Sequence, residues 1–392
     1  MRRPDCLLIE GCDFESFPPG GQLSTAKQML RAFGDRLALV GICSRDDVPV
    51  GRWVERELSG KRVLFFGIGR RRRSARRPLV PARIAQGLDL ARHRDGILSL
   101  GVRNVFIEAV EDLFVVTRWK LDSVCLCLPG LENPLSISRY PWARRFAGAL
   151  DRALFAALAK VQVILASADD RAIEEFVARG RGTLAPGRVV QLCTHYDSSV
   201  FRPLPLAGCR RVLGIPEGSV VVVTTGRINR AKGWDLLLDA YQEFRRECRD
   251  ALLVFVGDGE DRPELEQRIE LAGLIGRGRV TGFVPPATVA SWLNAADLYV
   301  VGSRAEGWSI AMLEALACGK PLVSTDVSGA RTLVRDRENG FVVSTRSAIQ
   351  FAARMRAALA LPDAAAVSRE IARRHDIVNL PREIGEVWKV LA

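Results

Sequence analysis

Hydrophobic positions in the first half of the chain fall into short, almost uninterrupted apolar runs. Stretches with helical spacing of apolar residues, such as residues 20–33, lie between some of them. A run of this length that is apolar throughout is typical of a parallel strand covered by helices on both faces. The runs are CLLIEGC, LALVGIC, RVLFFGI, NVFIEAV, SVCLCL and VQVILAS. This half therefore predicts a parallel α/β domain.

The second half repeats the alternation of strand and helix, with apolar runs such as SVVVVTTG and LYVVGS before helical stretches such as WDLLLDAYQEFRREC and SIAMLEALACG. Residues 201–212 interrupt the pattern, because they contain two prolines and no periodicity. We therefore predict an α/β fold of two doubly wound Rossmann-like domains, residues 1–205 and 206–375, that face each other across a cleft. Residues 376–392 are predicted as a C-terminal helix that could pack back on the first domain.

Composition places the chain among globular proteins, with 392 residues of which 48% are hydrophobic and 26% charged. The nine cysteines are scattered and no two have the spacing Cys-x-x-Cys, which favours a reducing, cytoplasmic compartment. The most apolar window, around residues 149–168, is interrupted by charged residues and does not predict a membrane span.

The formal net charge is +12 and indicates an anionic partner. Much of the excess lies in one basic segment, residues 70–94, which contains Arg70 to Arg73, Arg76, Arg77, Arg83, Arg92 and Arg94. The segment could be a solvated loop, or a patch that attracts anionic lipid headgroups at the inner face of the cell membrane. Nucleic acid is not expected, because the segment lacks interleaved aromatic residues for base stacking.

In doubly wound sheets, ligands bind in the turns that follow the carboxyl ends of strands. The first such turn of the second half, GRINRAKGWD, combines Gly226 with the cations Arg227 and Lys232. Two loop cations are often only solvated, but at this position they predict a site for a diphosphate, which Arg can bind bidentately and Lys as a point charge.

The next turn, GDGEDRPE, is a weak signal, because glycine-rich turns are often structural. Neither a G-x-G-x-x-G fingerprint nor a Walker lysine pattern is present there. Dinucleotide oxidoreductases and phosphate-loop ATPases are therefore disfavoured.

The third turn, LYVVGSRAEGW, leads into a helix that begins near Ser309, a residue type that favours the N-cap. Glu306 precedes this helix and Glu314 lies inside it among apolar neighbours. Glu306 could be an exposed loop carboxylate and Glu314 a charge on the helix surface. Among apolar residues, however, Glu314 needs a hydroxyl or cationic partner, so both glutamates are candidates to bind hydroxyl groups.

From residue 220 to 343 the chain resembles the donor-binding domain of GT-B glycosyltransferases, in particular the retaining family 4 group. The resemblance rests on GRINRAKGWDLLLDAY, VFVGDGEDRPELE, VTGFVP, ENGFVV and the segment 291–330, which carries the E-x7-E signature as Glu306 and Glu314. Two further segments resemble the family: VVQLCTHYDSSVFRP between the domains and PPGGQLSTAKQML near the start.

This resemblance implies roles for the residues singled out above. Arg227 and Lys232 would neutralise the diphosphate of a nucleotide-sugar, so that neither a metal nor another cofactor is expected. Glu306 would hold hydroxyls of the sugar and Glu314 those of the ribose. The resemblance also places further donor-binding residues near the sugar and the phosphates, namely Gly20, Gly21, Gly226, Gly307, Trp308, Ser309 and Ile310.

The sequence departs from the family pattern in its first domain. Many members carry a histidine after the strand that corresponds to SVCLCL, where this chain has LPGLENPL. None of His93, His195 and His375 is an evident substitute. The mechanism usually described for the family, in which the leaving diphosphate acts as the base, requires no such histidine and depends on charge stabilisation and positioning.

The resemblance and the charge together predict a retaining glycosyltransferase that moves a hexose from a nucleotide-sugar to a glycan or lipid-linked acceptor. The basic segment favours a role in bacterial surface polysaccharide synthesis. Two alternatives stay open: an enzyme that acts on a sugar phosphate or small metabolite, and an inactive scaffold that binds nucleotide-sugars.

Overall fold

The structure, a computed structural model, describes residues 3–18, 21–71, 82–133, 135 and 144–392. These form two compact units. Unit 1 comprises residues 1–193 and 378–392, and unit 2 comprises residues 194–377. Unit 2 thus begins ahead of the predicted domain boundary at 205/206, and the last residues of the chain belong to unit 1.

In unit 1, helices connect most of the strands. Most of these strands are buried apolar runs, as the sequence predicts. The elements are β1 (Cys6–Ile9), α1 (Gly21–Phe33), β2 (Leu37–Cys43), β3 (Trp53–Leu58), β4 (Lys61–Arg70), α2 (Ala82–Arg92), α3 (Arg94–Leu98), β5 (Asn104–Ile107), α4 (Val110–Val116), β6 (Ser123–Leu128), α5 (Ala147–Leu158), β7 (Val163–Ala166), α6 (Asp170–Arg179) and β8 (Val189–Gln191).

The strands of unit 1 form one sheet in the order β3-β4-β2-β1-β5-β6-β7-β8. All neighbours pair in parallel except β3, which is antiparallel to β4. The prediction of a parallel α/β domain therefore holds except at this edge. In β3 only Leu58 is fully buried, and the sequence WVEREL contains three consecutive charged residues, which suits an edge strand with much of its surface in solvent.

Unit 2 continues the alternation through α7 (Leu206–Val212), β9 (Val221–Thr225), α8 (Trp234–Arg245), β10 (Leu252–Val256), α9 (Arg262–Leu271), β11 (Gly278–Val280), α10 (Pro286–Ala295), β12 (Leu298–Val301), α11 (Ile310–Ala317), β13 (Leu322–Thr325), α12 (Ala330–Leu333), β14 (Gly340–Val343), α13 (Ala348–Leu359) and α14 (Ala364–Arg373). Helix α7 lies in the stretch that the sequence left without periodicity.

All strand pairs of the second sheet are parallel, in the order β11-β10-β9-β12-β13-β14. The chain runs outward from β9 to β11 on one side and from β12 to β14 on the other. The order therefore reverses between β9 and β12, which is where doubly wound sheets place their ligands. The prediction of two doubly wound Rossmann-like sheets is confirmed.

The chain ends in unit 1 with α15 (Leu380–Val387). The indole nitrogen of Trp388 donates to Ser123 Oγ at 2.8 Å, and the Trp388 ring packs beside Phe106. The guanidinium of Arg36 donates to the carbonyl oxygens of Val390 and Leu391.

Within the part of the chain that the structure describes, none of the helices has the length and apolar character needed to cross a membrane.

Candidate functional site

The turn after β9 is locked against the turn after β10 by direct backbone contact. Gly226 has a φ of +129° and its amide donates to the Val256 carbonyl at 3.0 Å. A side chain at Gly257 would place its Cβ 2.0 Å from the Gly226 oxygen, and one at Gly259 would place it 2.2 Å from the Ile228 oxygen. The glycines of GDGEDRPE therefore have a structural role: they shape the turn that carries Arg227.

Lys232 ends a short 3-10 turn, Arg230–Lys232, whose start is capped by a side chain. The Oδ1 atom of Asn229 accepts a hydrogen bond from the Lys232 amide at 3.0 Å. Gly233 follows in the left-handed region at φ +69°, and a Cβ there would lie 1.8 Å from the Gly302 oxygen. Only glycine fits this approach, which brings the turn after β9 directly against the turn after β12.

This approach joins Lys232 to Glu306. The ammonium Nζ of Lys232 lies 2.7 Å from Oε1 and 2.8 Å from Oε2 of Glu306. Ser303 Oγ donates to the same Oε1 at 2.6 Å. The Glu306 side chain is 10% exposed, whereas that of Lys232 is 40% exposed. The carboxylate is therefore fixed on one side, and the cation keeps a face open to a ligand.

Side chains from α8, β13 and the turn after β14 brace the turn that carries Glu306. Arg346 donates to the Gly302 carbonyl at 2.9 Å, and Thr325 Oγ1 donates to the Ser303 carbonyl at 2.7 Å. Asp235 pairs with Arg346 at 3.5 Å and with Arg304 at 2.9 Å. Burial and the neighbouring Arg304 lower the pKa of Arg346. These contacts hold Glu306 in place before any ligand binds.

Arg227 is exposed, and no hydrogen bond or ion pair involves its side chain among the residues that the structure describes. It lines a small cavity together with Gly226, Lys232 and Trp234. The two cations of this turn thus differ: Lys232 is bound to a carboxylate, while Arg227 is available.

Glu314 lies in α11, half-buried, and makes no hydrogen bond or ion pair within the described ranges. Burial raises the pKa of its carboxyl to about 8. The carboxylates of Glu314 and Glu306 both raise the pKa of Tyr299, although burial contributes most, and the Tyr299 hydroxyl shares a 2.9 Å hydrogen bond with Thr225 Oγ1. The sequence predicts a hydroxyl or cationic partner for Glu314, and none of the described residues provides one.

Ser309 occupies the N-cap position of α11, but its side chain makes no capping hydrogen bond. The expectation that Ser309 caps the helix is thus correct in position and wrong in chemistry. The Met312 amide already donates to the Ser309 carbonyl, whereas the amides of Ser309 and Ile310 have no side-chain acceptor among the described residues and keep their capacity to bind an anion. Trp308 is buried at the entry to the helix, and its indole N–H has no partner among the same residues.

The remaining candidates lie in unit 1. Gly20 falls outside the described residues, and Gly21 is the first residue of α1. In the basic segment, Arg70 pairs with Asp46 at 3.0 Å and Arg83 with Glu111 at 3.1 Å, so part of its charge is compensated locally. Arg72, Arg73, Arg76 and Arg77 lie outside the described residues.

The sequence reasoning missed Asn229, Ser303 and Arg346, which position the turns. Ser303 had a signal, since it follows a buried strand directly in LYVVGSRAEGW. Arg346 had none, because it contacts the Gly302 and Ser303 carbonyls from a turn more than forty positions along the chain.

Residues 209–375, most of unit 2, match the family model described as "Glycosyl transferases group 1". The two-sheet architecture is the fold of GT-B glycosyltransferases. Sucrose-phosphate synthase from Thermosynechococcus elongatus aligns with a TM-score of 0.79 and 18% identity, over 100% of this chain and 99% of that one. Anabaena HepE in complex with UDP-glucose aligns with a TM-score of 0.71 and 19% identity, over 98% and 99%.

Among curated relatives, a D-inositol 3-phosphate glycosyltransferase from Thermobispora bispora is 36% identical over 201 residues, which cover 48% of this chain and 46% of the relative. The chain spans about half the length of the curated relatives it matches. The structural likenesses show the fold, and the family match covers residues 209–375.

Proposed function

We propose that the protein is a retaining glycosyltransferase that moves a hexose from a nucleoside diphosphate sugar to a glycan or lipid-linked acceptor. The observation that carries the proposal is the contact between Lys232 and Glu306, made where the strand order of the second sheet reverses. The turn of Lys232 also carries an available cation, Arg227, and the helix after Glu306 carries Glu314, whose carboxyl has no partner among the described residues. The set offers complementary groups for both the phosphates and the hydroxyls of one donor.

In this proposal Arg227 and Lys232 bind the diphosphate and stabilise the charge that develops on it as the glycosidic bond breaks. The free amides at the start of α11, from Gly307 to Ile310, add hydrogen bonds to the phosphate and the sugar. Glu306 accepts hydrogen bonds from sugar hydroxyls and Glu314 from the ribose. The two cations provide the charge neutralisation, so the proposed reaction needs no metal ion.

Retention follows if the acceptor attacks on the face from which the diphosphate leaves, with a diphosphate oxygen taking the proton of the acceptor hydroxyl. The bond from the anomeric carbon to the phosphate oxygen breaks, and the bond to the acceptor oxygen forms. The protein then contributes position and charge, which is what the braced turn of Glu306 supports.

A panel of nucleotide-sugars tests the donor side. We expect one class to raise the melting temperature and to be hydrolysed slowly without acceptor, by the wild-type protein but not by Glu306→Gln. UDP-glucose belongs in the panel because the fold neighbour HepE binds it. Stabilisation by a donor without hydrolysis or transfer to any acceptor would favour an inactive scaffold. No binding by any member of the panel would refute the proposal.

On the acceptor side we propose a lipid-linked glycan at an anionic membrane, as in surface polysaccharide synthesis. Helix α2 supports this, because Ile84 and Leu88 lie one turn apart and are 55% and 64% exposed, next to Arg83 and Arg92. An apolar pair flanked by arginines is suited to the headgroup region.

Co-sedimentation with vesicles tests the membrane surface. We expect binding to vesicles with anionic lipid at low salt and not to neutral ones, and a loss in Ile84→Ser/Leu88→Ser. Leu271→Ser, at a position of unit 2 that is 79% exposed, is the control. If both variants and the wild type bound anionic vesicles equally, helix α2 would not be the membrane-binding surface.

A small phosphorylated acceptor is the second candidate, favoured by the relatives named D-inositol 3-phosphate glycosyltransferase. Efficient transfer to inositol phosphate or a sugar phosphate without lipid would favour it over the lipid-linked acceptor.

A further inference from the structure

Three carboxyl groups are buried together in unit 1 and have no part in the function proposed above. Glu10, Glu108 and Asp112 are 2%, 3% and 0% exposed. Four of their six oxygens have no hydrogen-bond partner among the residues that the structure describes: Glu10 Oε2, both oxygens of Glu108, and Asp112 Oδ1. Burying carboxyl groups without partners is strongly unfavourable, so this cluster calls for an explanation other than stability.

The sheet itself brings these residues together. Ile9 of β1 and Ile107 of β5 are paired in register, and Glu10 and Glu108 directly follow them. The two carboxyls therefore emerge side by side from neighbouring strands. The order of the first sheet reverses between β1 and β5, so they mark the point where such a sheet binds its ligand. Asp112, in α4, completes the cluster.

Helix α2 covers the cluster. Gln86 Nε2 donates to Asp112 Oδ2 at 2.5 Å, and the Gln86 side chain lies over Gly11, where a Cβ would be 2.2 Å from its Oε1. Among the described residues, the cation that acts on Glu10 and Asp112 is Arg83, which is paired with Glu111. When the carboxyls are ionised, the free atoms inside the cluster are therefore acceptors only.

We propose that Glu10, Glu108 and Asp112 form a recognition site for a primary ammonium group, reached when the Gln86 side chain moves aside. An ammonium offers three hydrogen-bond donors and a positive charge, which match several free carboxyl oxygens, whereas a hydroxyl offers one donor. A metal ion is the weaker choice, since no group of three or more His, Cys, Asp or Glu residues in the described chain could hold one.

The inference deepens the proposed function and rests on it in one respect: the acceptor would be an amine-bearing sugar or cyclitol, bound by unit 1. Without a ligand, the cluster avoids charge by keeping its protons. Burial raises the pKa of Glu10 to about 7 and those of Glu108 and Asp112 well above their usual range, with Glu10 adding to both shifts.

The other titratable groups that face the cluster do not change the conclusion that its carboxyls are protonated without a ligand. Arg83 of α2 lowers the pKa of Glu10 and Asp112, and Glu111 of α4 raises them. The thiols of Cys12 and Cys127 have raised pKa values and stay neutral. An ammonium that binds must therefore displace protons from the carboxyls, and its affinity should rise from pH 6 to pH 8.

Two ligands matched in size test the site: trans-4-aminocyclohexanol and trans-1,4-cyclohexanediol, titrated calorimetrically into the full chain without donor. At pH 8 we expect the amine to bind at least tenfold more tightly than the diol. Comparison of HEPES and phosphate buffers, which differ in ionisation enthalpy and carry no primary amine, should show protons released on binding. Equal binding of both ligands, no binding of the amine, or binding without proton release would overturn the proposal.

Variants separate this site from a merely structural cluster. Glu108→Gln keeps the shape and should remove the tenfold preference, whereas Glu57→Gln, at an exposed position of β3, should keep it. Gln86→Ala removes the cover and should strengthen amine binding. A preference retained in Glu108→Gln, with thermal unfolding showing an intact fold, would refute the assignment.

The donor site is tested separately with UDP-glucose, because its residues lie in unit 2. Amine binding without donor binding would leave the ammonium site standing and refute the transferase. Donor binding and transfer without amine binding would support the transferase and refute the ammonium site.

Discussion

Lys232 and Glu306 are seventy-four positions apart in the sequence, yet the ammonium of one lies within 2.8 Å of both carboxylate oxygens of the other. The contact depends on Gly233 and Gly302, whose backbones touch where the turns after β9 and β12 meet. It places a cation for phosphate and a carboxylate for hydroxyls next to each other. A ligand that carries both groups can bind across the pair.

Removing either partner of this pair should reduce transfer by more than tenfold. Lys232→Ala removes the positive charge from the diphosphate and leaves the Glu306 carboxylate with Ser303 alone, while Glu306→Gln weakens the hold on the sugar. The two changes should not be additive, with a coupling of about 1 to 3 kcal/mol in kcat/KM. The double-mutant cycle measures it.

Arg249→Ala is the control for this cycle, because it removes an exposed cation of unit 2 that has no partner in the described residues. Wild-type transfer rates in both Lys232→Ala and Glu306→Gln would contradict the assignment of the site.

Arg227→Ala should weaken the donor without destabilising the protein. The side chain is exposed and has no partner in the described structure, so its removal breaks no internal contact. Losing a charge-assisted contact to phosphate is expected to weaken binding at least tenfold, by about 1.5 to 3 kcal/mol. Titration of the donor at low and high salt, beside thermal unfolding, measures both quantities. An unchanged donor affinity would exclude Arg227 from the phosphate site.

Glu314→Gln should change how stability depends on pH. The carboxyl has a pKa of about 8 in the folded protein, against about 4.3 in an unfolded chain. Between these values the folded state binds the proton more tightly than the unfolded state, so wild-type stability falls as pH rises through this window. The variant has no such group and should lack this fall.

Between pH 5 and pH 8, we expect the free energy of unfolding of Glu314→Gln to rise by about 2 kcal/mol relative to that of the wild type. This is less than the full pKa shift implies, because the side chain keeps some contact with water. Denaturant unfolding at both pH values measures it, and Glu217→Gln, on an exposed turn, should match the wild type. If the free energy of unfolding depended on pH in the same way for Glu314→Gln and the wild type, the pKa of the Glu314 carboxyl would not be raised by burial.

Gly233→Ala should destabilise unit 2 far more than Gly218→Ala. Both glycines have a positive φ, +69° and +76°, so each alanine bears the strain of the left-handed region, roughly 1 to 2 kcal/mol. At Gly218 a Cβ meets nothing within 4 Å, while at Gly233 it would lie 1.8 Å from the Gly302 oxygen. The difference in unfolding free energy isolates the close approach, and we expect about 2 kcal/mol or more.

Transfer adds a second measurement for these glycines. Gly233→Ala should also lose activity, since Gly302 begins the turn that positions Glu306, whereas Gly218→Ala should keep it. Equal effects of the two substitutions would show that the contact between the turns is unimportant.

Much of the fold followed from the apolar runs, because a parallel strand covered on both faces has a distinctive pattern. The edge strand Trp53–Leu58 was missed: three consecutive charged residues in WVEREL separate its apolar positions, and a search for continuous runs passes over them. The stretch 206–212 was left without structure, although LAGCRRV forms a helix after its prolines. Both errors came from expecting one pattern throughout.

The candidate site was only partly accessible to sequence reasoning. Strand ends located Arg227, Lys232, Glu306 and Glu314, but not which of them touch. Glu306 pairs with Lys232 and not with Arg227 because two turns approach each other, and no local sequence pattern predicts this approach. Glu10 and Glu108 were hidden in another way, since CLLIEGC and NVFIEAV were interpreted as apolar strands and their acids were passed over.

The return of residues 378–392 to unit 1 has a consequence for biosynthesis. Unit 2 is encoded inside unit 1, so the ribosome completes every residue of unit 2 before it releases the segment in which Trp388 docks on Ser123 and Phe106. Until that segment is translated, the earlier part of unit 1 lacks the contacts that the segment makes with it. Chains truncated before Leu380 should therefore contain a finished second unit and an incomplete first one, which makes them natural substrates for chaperones and proteases.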